Sequence, residues 1–246
     1  MRQLRTMSKN ILVTGSSQGI GLAIAKHFAA SYNVYITGRH KEKLEKLCSE
    51  YNFAGYAEVD LFKENSASEL FKKLNTNIDV LINNAGVYFY SPIEKMAHED
   101  LIKSVYLNSI APYELMHAVI PYMKKQNWGR IINIGSISGV MGEANASAYS
   151  MTKASLIGLT KATALELAQD NITVNIINPG WVDTDLINNE DLEQDFSKEE
   201  IMETIPQRRY VLPEEIASTC EFLISENART ITGQSINICA GLSLGF

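Results

Sequence analysis

Short apolar runs rich in β-branched residues alternate along this chain with segments that have helical spacing. The runs that predict strands are NILVTG (10–15), NVYITG (33–38), FAGYAEVD (53–60), IDVLINNAG (78–86), GRIINIGS (129–136), ITVNIINPG (172–180) and QSINICAG (234–241). Helical spacing is found between them, as in 19–30, 41–50 and 153–169. Nearly continuous apolar strands that alternate with helices are typical of a parallel sheet covered on both faces. The chain is therefore expected to form a doubly wound α/β fold with a seven-stranded parallel sheet.

The same pattern defines the domain organisation. A chain of 246 residues with 46% hydrophobic content can bury one substantial core. We expect a single domain over residues 9–246, preceded by a short N-terminal tail at residues 1–8. The stretch that begins DTDLINNEDLEQDFSKEE (183–200) is polar and acidic and interrupts the alternation. Residues 183–205 are therefore predicted to form a mobile lid.

The composition of the chain argues against several classes of function. The net charge of -6 gives no general field that attracts nucleic acid or anionic lipid. The three cysteines and four histidines form no ligand-spaced cluster, so neither a disulfide framework nor a metal site is predicted. No run approaches the ~18 apolar residues of a membrane span, and we expect a cytoplasmic protein.

A glycine-rich turn follows the first predicted strand. The sequence TGSSQGIG places Gly15, Gly19 and Gly21 directly before a helix. Glycines let the backbone approach a pyrophosphate, whose charge is stabilised by the free N–H groups at a helix start. The spacing differs from the G-x-G-x-x-G fingerprint of dinucleotide sites, and such glycines also serve as plain strand-to-helix connectors.

Two further strand ends carry candidate ligand-binding residues. Asp60 and Leu61 end the third run, and an acid at this place could accept a hydrogen bond from an adenine amino group. Asn84, Ala85 and Gly86 end the fourth, where small residues would let a ring lie against the backbone. The alternatives are a helix cap for Asp60 and a simple turn for Asn84 and Gly86.

A tyrosine and a lysine lie four residues apart in SAYSMTKAS (147–155). Tyr149 and Lys153 would share one face of a helix. A neighbouring ammonium favours the phenolate and lowers the pKa of a tyrosine, so the pair could donate and accept protons. Ser136 ends the fifth predicted strand and could polarise a carbonyl at the same edge of the sheet. The alternative interpretation is a solvated lysine and a turn serine.

The segments TGSSQGIG, NNAG, Asn108, Ser136, YSMTK and NPGWVDT occur in an order and at spacings that resemble the short-chain dehydrogenase/reductase family over residues 9–243. The resemblance implies a Rossmann-type fold and a nicotinamide-dependent oxidoreductase. It implies that Tyr149 exchanges a proton with the substrate oxygen, which Ser136 holds. Lys153 would bind the nicotinamide ribose and lower the tyrosine pKa, and Asn108 would hold a water that links Lys153 to solvent.

The resemblance also implies a set of cofactor-binding residues, and the residue after the second strand indicates which cofactor. The set is Gly15, Ser17, Gln18, Gly19, Ile20, Gly21, Arg39, Asp60, Leu61, Asn84, Ala85, Gly86, Tyr149, Lys153, Pro179, Gly180, Val182 and Thr184. Arg39 stands where NAD-preferring folds place an acid, so NADP(H) is predicted ahead of NAD(H). Ser16 and Ser17 are expected to add hydroxyl donors to the 2′-phosphate. The alternative is a solvated Arg39 that caps the following helix.

Residues 154–180 and 205–241 resemble the bacterial 3-oxoacyl carrier-protein reductase branch, which implies a 3-oxoacyl thioester as substrate. Asp170 and the eight acids of 183–200 should repel an acidic carrier protein. The basic residues that remain to attract one are Lys124, Lys125, Arg130, Arg208 and Arg209. A free small ketone, a sugar or a cyclic alcohol is the alternative substrate, and a catalytically idle cofactor-binding scaffold is the alternative function. The family also implies a homotetramer, formed through the helices near 98–125 and 148–169 and through the C-terminus.

Overall fold

Seven parallel strands form the centre of the protein in a computed structural model that describes residues 9–184 and 197–244. The strands are β1 (Asn10–Val13), β2 (Asn33–Gly38), β3 (Gly55–Glu58), β4 (Val80–Asn83), β5 (Gly129–Ile134), β6 (Ile172–Pro179) and β7 (Ser235–Ile238). Their order across the sheet is β3-β2-β1-β4-β5-β6-β7. The predicted doubly wound α/β fold is confirmed.

Helices follow the strands and cover both faces of the sheet. They are α1 (Gly19–Phe28), α2 (Lys41–Tyr51), α3 (Ser66–Leu74), α4 (His98–Val105), α5 (Ala111–Lys125), α6 (Ser138–Met141), α7 (Ser147–Leu167), α8 (Lys198–Thr204) and α9 (Pro213–Ile224). A π-helical turn, Tyr106–Ile110, joins α4 to α5. None of the helices in the described part of the chain is long and apolar enough to span a membrane.

The strands are apolar on both faces because each face packs against a separate layer of helices. Ile11 and Val13 of β1 belong to one cluster with buried residues of α1, α2 and α9. Leu12, between them, belongs to a second cluster with buried residues of α3, α5 and α7. This alternation is the expected consequence of successive side chains pointing to opposite sides of a strand.

Element boundaries differ from the predictions at the edges of the sheet. The third run, 53–60, keeps only four residues in β3, although Phe53 and Val59 on either side of the strand are also buried in the core. Helix α7 starts at Ser147, within one residue of the predicted start near 148, and contains both Tyr149 and Lys153 as expected.

Two predicted segments fall mainly outside the described residues. They are the N-terminal tail, residues 1–8, and residues 185–196 of the predicted lid. The described end of that lid is helix α8, which begins with a capping box between Ser197 and Glu200.

From β1 the sheet extends outward through β2 and β3, and from β4 it extends in the opposite direction through β5, β6 and β7. The strand order therefore reverses between β1 and β4. In open parallel sheets, ligands bind beyond the carboxyl ends of the strands at such a switch point. The loops that begin at residues 14 and 84 meet there, and the candidate site is built on them.

Candidate active site

The turn between β1 and α1 lies close against the loop that follows β4. Gly15 and Gly19 adopt left-handed backbone conformations, with φ of +60° and +53°. A Cβ on Gly21 would lie 2.4 Å from the Asn84 amide nitrogen and 2.5 Å from the Gly15 carbonyl oxygen. The turn therefore requires glycine, and it presents the N–H groups at the start of α1 to the switch point. This cradle fits a dinucleotide pyrophosphate.

Hydrogen bonds fix the second loop against the first. Asn84 donates its side-chain amide to the carbonyl oxygens of Thr14 (2.9 Å) and Gly15 (3.1 Å). The Thr14 hydroxyl accepts from the backbone N–H groups of Asn84 and Ala85, each at 3.0 Å. Asn84 thus shapes the two loops through its side chain, which goes beyond the simple turn role considered from the sequence.

The two serines of the glycine turn have different surroundings. Ser16 is fully buried, and its hydroxyl donates to the Val13 carbonyl (2.7 Å) and accepts from the Thr37 N–H (3.0 Å). The expectation that Ser16 contributes a donor to a phosphate is therefore wrong, because its hydroxyl joins the turn to β2. Ser17 is half-buried beside Gly38 at the end of β2 and keeps access to the site.

Two cations lie near the end of β2, of which sequence reasoning identified one. Arg39 is exposed, with its guanidinium 5.8 Å from the centre of the Phe62 ring, and has no ion pair with a described residue. Lys43 of α2 donates to the Gln18 side-chain oxygen at 3.2 Å. Gln18 and Lys43 are too far apart in sequence for any local pattern to predict this contact. The structure therefore adds a second positive charge beside the position of Gln18.

Asp60 and Leu61 lie in the loop beyond β3. One carboxylate oxygen of Asp60 accepts from the Phe62 N–H at 3.2 Å, which is a local turn rather than a helix cap. Leu61 is buried. The other Asp60 oxygen is left for a ligand, so the predicted adenine contact stays a prediction.

Ser136, Tyr149 and Lys153 meet at the carboxyl end of β5. Ser136 follows β5 by two residues, and its hydroxyl is near enough to the Tyr149 phenol to lower the pKa of that phenol slightly. Lys153 is almost fully buried, with its ammonium 5.6 Å from the centre of the Tyr149 ring. The ammonium donates to the Ile134 carbonyl oxygen at 2.8 Å. The three side chains predicted to form the catalytic centre therefore line one cleft.

Burial decides the protonation of the tyrosine and the lysine. It raises the pKa of the Tyr149 phenol to about 12, against a smaller lowering by the nearby Ser136 hydroxyl. Burial also lowers the pKa of the Lys153 ammonium to about 8. Desolvation of the phenolate dominates the pKa of Tyr149 in this structure, and the predicted lowering by Lys153 stays a prediction. At neutral pH Tyr149 holds its proton.

Asn108 lies in the π-helical turn between α4 and α5, a rare geometry that often occurs at functional sites. Its side chain donates to the Val87 carbonyl (2.9 Å) and the Thr152 hydroxyl (3.1 Å), and accepts from the Val87 N–H (2.8 Å). A Cβ on Gly86 would lie 3.1 Å from the Asn108 oxygen and 3.4 Å from the Lys153 nitrogen. The side chain of Asn108 therefore positions the loop beside Lys153, and its predicted water contact stays a prediction.

The segment after β6 forms the opposite wall of the cleft. The cleft has a volume of about 390 Å³. The predicted cofactor residues in its lining are Ile20, Asn84, Gly86, Pro179, Gly180, Val182 and Thr184. A Cβ on Gly180 would lie 2.9 Å from Cys239, so this wall is closely packed against the chain after β7. The predicted cofactor residues near the nicotinamide end thus share one cleft with the predicted catalytic residues.

Sequence reasoning missed three polar residues of the cleft. Ser138 accepts from the Ser136 hydroxyl (3.1 Å) and donates to the Glu143 carboxylate (2.5 Å). Tyr88 donates to the other Glu143 oxygen at 2.7 Å, and its ring contacts Tyr149 edge-on with centroids 4.9 Å apart. Their positions after β4 and β5 are the available signal, because every loop at this edge of the sheet can reach the site.

Most of the basic residues that could attract a carrier protein are buried or already paired with acidic residues. Arg130 is fully buried and faces Glu226 at 3.5 Å, so it cannot contribute to a docking surface. Lys124 pairs with Asp170 at 3.3 Å, and Arg209 pairs with Glu215 at 2.7 Å.

Comparison with known proteins identifies the family. The model of the short chain dehydrogenase family matches residues 9–195, which contain the glycine turn and all four predicted catalytic residues. The chain belongs to this family. It is an NAD(P)-dependent short-chain dehydrogenase/reductase that acts on CH–OH and C=O groups.

Two curated relatives and one solved structure show how far the likeness extends. This short-chain dehydrogenase is 37% identical to the uncharacterized oxidoreductase YxjF of Bacillus subtilis, over 94% of this chain and 96% of the relative. It is 36% identical to the 3-oxoacyl-[acyl-carrier-protein] reductase FabG of Aquifex aeolicus, over 98% and 99% of the two chains. A crystal structure of a variant actinorhodin polyketide ketoreductase with NADPH has a TM-score of 0.88 and 31% identity, over 96% and 97%. The predicted resemblance to the 3-oxoacyl reductase branch is confirmed.

Proposed function

We propose that this protein is an NADPH-dependent reductase that converts a ketone to a secondary alcohol, and that its substrate is a 3-oxoacyl thioester. The observation that carries this proposal is the single cleft that Ser136, Tyr149 and Lys153 line together. The relatives named FabG and polyketide ketoreductase support the choice of a 3-oxo substrate.

Tyr149 is the proton donor. A phenol whose pKa is about 12 stays protonated at neutral pH and can transfer its proton when charge develops on a carbonyl oxygen. Ser136 would offer a second hydrogen bond to that oxygen once its hydroxyl turns away from Ser138. When bound, the nicotinamide cofactor supplies the hydride that the carbonyl carbon receives.

Several residues of this chain would hold the cofactor. The glycine turn with Gly15, Gly19 and Gly21 suits the pyrophosphate, and Lys153 suits the ribose beside the nicotinamide. Arg39, Ser17 and Lys43 support a preference for NADP(H), because two cations favour a 2′-phosphate. We also propose that the protein forms a homotetramer, since Tyr113, Met151 and Leu165 are exposed on α5 and α7.

A free small ketone, a sugar or a cyclic alcohol is the second candidate substrate. The hydroxyl and carboxylate groups of Tyr88, Ser138 and Glu143 favour it, because they could bind substrate hydroxyls. The occupied or buried cations Lys124, Arg130 and Arg209 also weaken the case for docking of a carrier protein.

A substrate panel tests the proposal. Purified protein is given NADPH or NADH with the N-acetylcysteamine thioester of 3-oxobutanoate, a ketose sugar and a cyclic ketone, and cofactor absorbance is followed. We expect the thioester with NADPH to give the highest kcat/KM. A higher value for the sugar or the cyclic ketone would replace the thioester assignment. Cofactor binding without turnover of any of them would support the scaffold alternative.

A further inference from the structure

Glu143 places a carboxylate in the part of the cleft where substrate must bind. It lines the cleft together with Tyr88 and Ser138. Two hydrogen bonds connect it to the oxygen-binding Ser136, namely Ser136 to Ser138 at 3.1 Å and Ser138 to Glu143 at 2.5 Å. The carboxylate is therefore a close neighbour of the reacting carbonyl.

Its two hydrogen bonds hold this carboxylate in one orientation. Ser138 donates to one oxygen and Tyr88 to the other, at 2.5 Å and 2.7 Å. The negative charge acts on both tyrosines of the site, since it contributes to the raised pKa of Tyr88 and of Tyr149, behind the effect of burial. A carboxylate has about four acceptor sites, so sites remain for a donor on the substrate.

The described residues that line the cleft provide one cation. Among its described lining residues, Lys153 alone is cationic, and its ammonium is held at the Ile134 carbonyl oxygen. A substrate carboxylate would therefore meet a like charge at Glu143, and no described lining residue besides Lys153 could pair with it.

We propose that Glu143 makes this site selective for neutral ketones and excludes ketones that carry a carboxylate beside the reacting carbonyl. This inference rests on the proposed reduction of 3-oxo compounds. It assigns the substrate class as 3-oxo esters, thioesters and amides rather than free 3-oxo acids. Specificity of this kind uses a repulsive element against the wrong substrate as well as contacts to the right one.

A matched pair of substrates tests whether the site rejects a negative charge. Ethyl 3-oxobutanoate and 3-oxobutanoate share the reacting ketone and differ in the carboxyl group. We expect the wild type to favour the ester in kcat/KM by more than ~10-fold, because like charges at close range in a cleft are costly. Glu143→Gln keeps the size and one acceptor oxygen but removes the charge, and it should reduce the ester-to-acid ratio at least ~10-fold, mainly through KM for the acid.

The control is Glu221→Gln, which removes an exposed carboxylate that pairs with His27 at 2.9 Å outside the cleft. Its ester-to-acid ratio should equal that of the wild type. If Glu143→Gln does not fold, Glu143→Ala serves as the second variant, and the acid reaction of the wild type should also accelerate with ionic strength.

The outcomes distinguish this inference from the proposed function. Reduction of the ester with an unchanged ratio in the Glu143 variants would overturn charge selection and leave the proposed function standing. Reduction of cyclic ketones alone would overturn the 3-oxo assignment. In that case, methyl 3-oxocyclohexanecarboxylate and its free acid are the two substrates with which charge selection is measured. An ester-to-acid ratio that is unchanged in the Glu143 variants would again overturn charge selection. A wild type that reduces no ketone overturns both.

Discussion

Burial of Lys153 is expected to lower the free energy of unfolding, and this effect can be measured separately from catalysis. The lysine side chain is 4% exposed, and burial lowers the pKa of the ammonium from 10.5 to about 8. A tenfold change in a protonation equilibrium corresponds to ~1.4 kcal/mol, so holding this lysine protonated at neutral pH costs roughly 3 kcal/mol. Replacing it by methionine, which has a similar length, removes that cost.

The substitution also removes a favourable contact. Lys153 donates to the Ile134 carbonyl oxygen at 2.8 Å, and loss of such a bond costs ~1–2 kcal/mol. We therefore expect Lys153→Met to be more stable than the wild type by ~1–2 kcal/mol near neutral pH. Its catalytic activity should be lost, because the residue borders Tyr149.

The pH dependence has a definite sign. Between pH 8 and 10.5 the unfolded wild type binds a proton at Lys153 that the folded protein does not, so wild-type stability rises with pH across this window. The advantage of the methionine variant should shrink over that range and reverse near its upper end. Urea unfolding of both proteins at a series of pH values, at one protein concentration, measures the difference.

A matched control is available on the same helix. Lys161 is an exposed lysine of α7, and Lys161→Met should change stability by less than ~0.5 kcal/mol at every pH. A Lys153→Met variant that is less stable than wild type near neutral pH, or a difference that does not vary with pH, would refute the argument that burial strains this cation.

Three further predictions concern the site itself. Tyr149→Phe should lower kcat by more than ~100-fold while the affinity for NADPH, measured by fluorescence titration, stays within about threefold, because only the exchangeable proton is lost; activity within tenfold of wild type contradicts the proposed role. Gly21→Ala should abolish cofactor binding, since the added Cβ would meet backbone and side-chain atoms at 2.4–2.9 Å. Its control, Gly158→Ala, adds a Cβ with no atom within 4 Å and should leave the NADPH dissociation constant unchanged. Arg39→Ala should reduce the NADPH preference in kcat/KM by about 5- to 150-fold, the scale of a hydrogen bond to a charged group, and Lys43→Ala should reduce it by less. Unchanged preference in both variants would show that neither cation contacts the phosphate.

The sequence by itself determined the fold and the edge of the sheet at which the site lies. Continuous apolar runs such as GRIINI and ITVNIINP are buried along their whole length, and only a sheet covered on both faces buries them so. Strand ends then indicated where Ser136 and Asn84 would lie, because all parallel strands point to one edge. The helical spacing of Tyr149 and Lys153 placed both on one face for the same local reason.

Only the tertiary structure decided which partners these residues have. The Ser16 hydroxyl hydrogen-bonds to β1 and β2, and Lys43 donates to Gln18. Glu143 accepts from both Tyr88 and Ser138. Periodicity in a sequence encodes which face of an element is buried. It does not encode which distant side chain occupies the space opposite that face.

The protonation states of Tyr149 and Lys153 also depend on the tertiary structure. From the sequence, the ammonium of Lys153 was expected to lower the pKa of Tyr149, as a nearby opposite charge does. In the folded protein the pKa of the phenol rises to about 12 and that of the ammonium falls to about 8, since both groups lose solvent. Desolvation depends on every element packed around a group, so it is fixed only when the chain has folded.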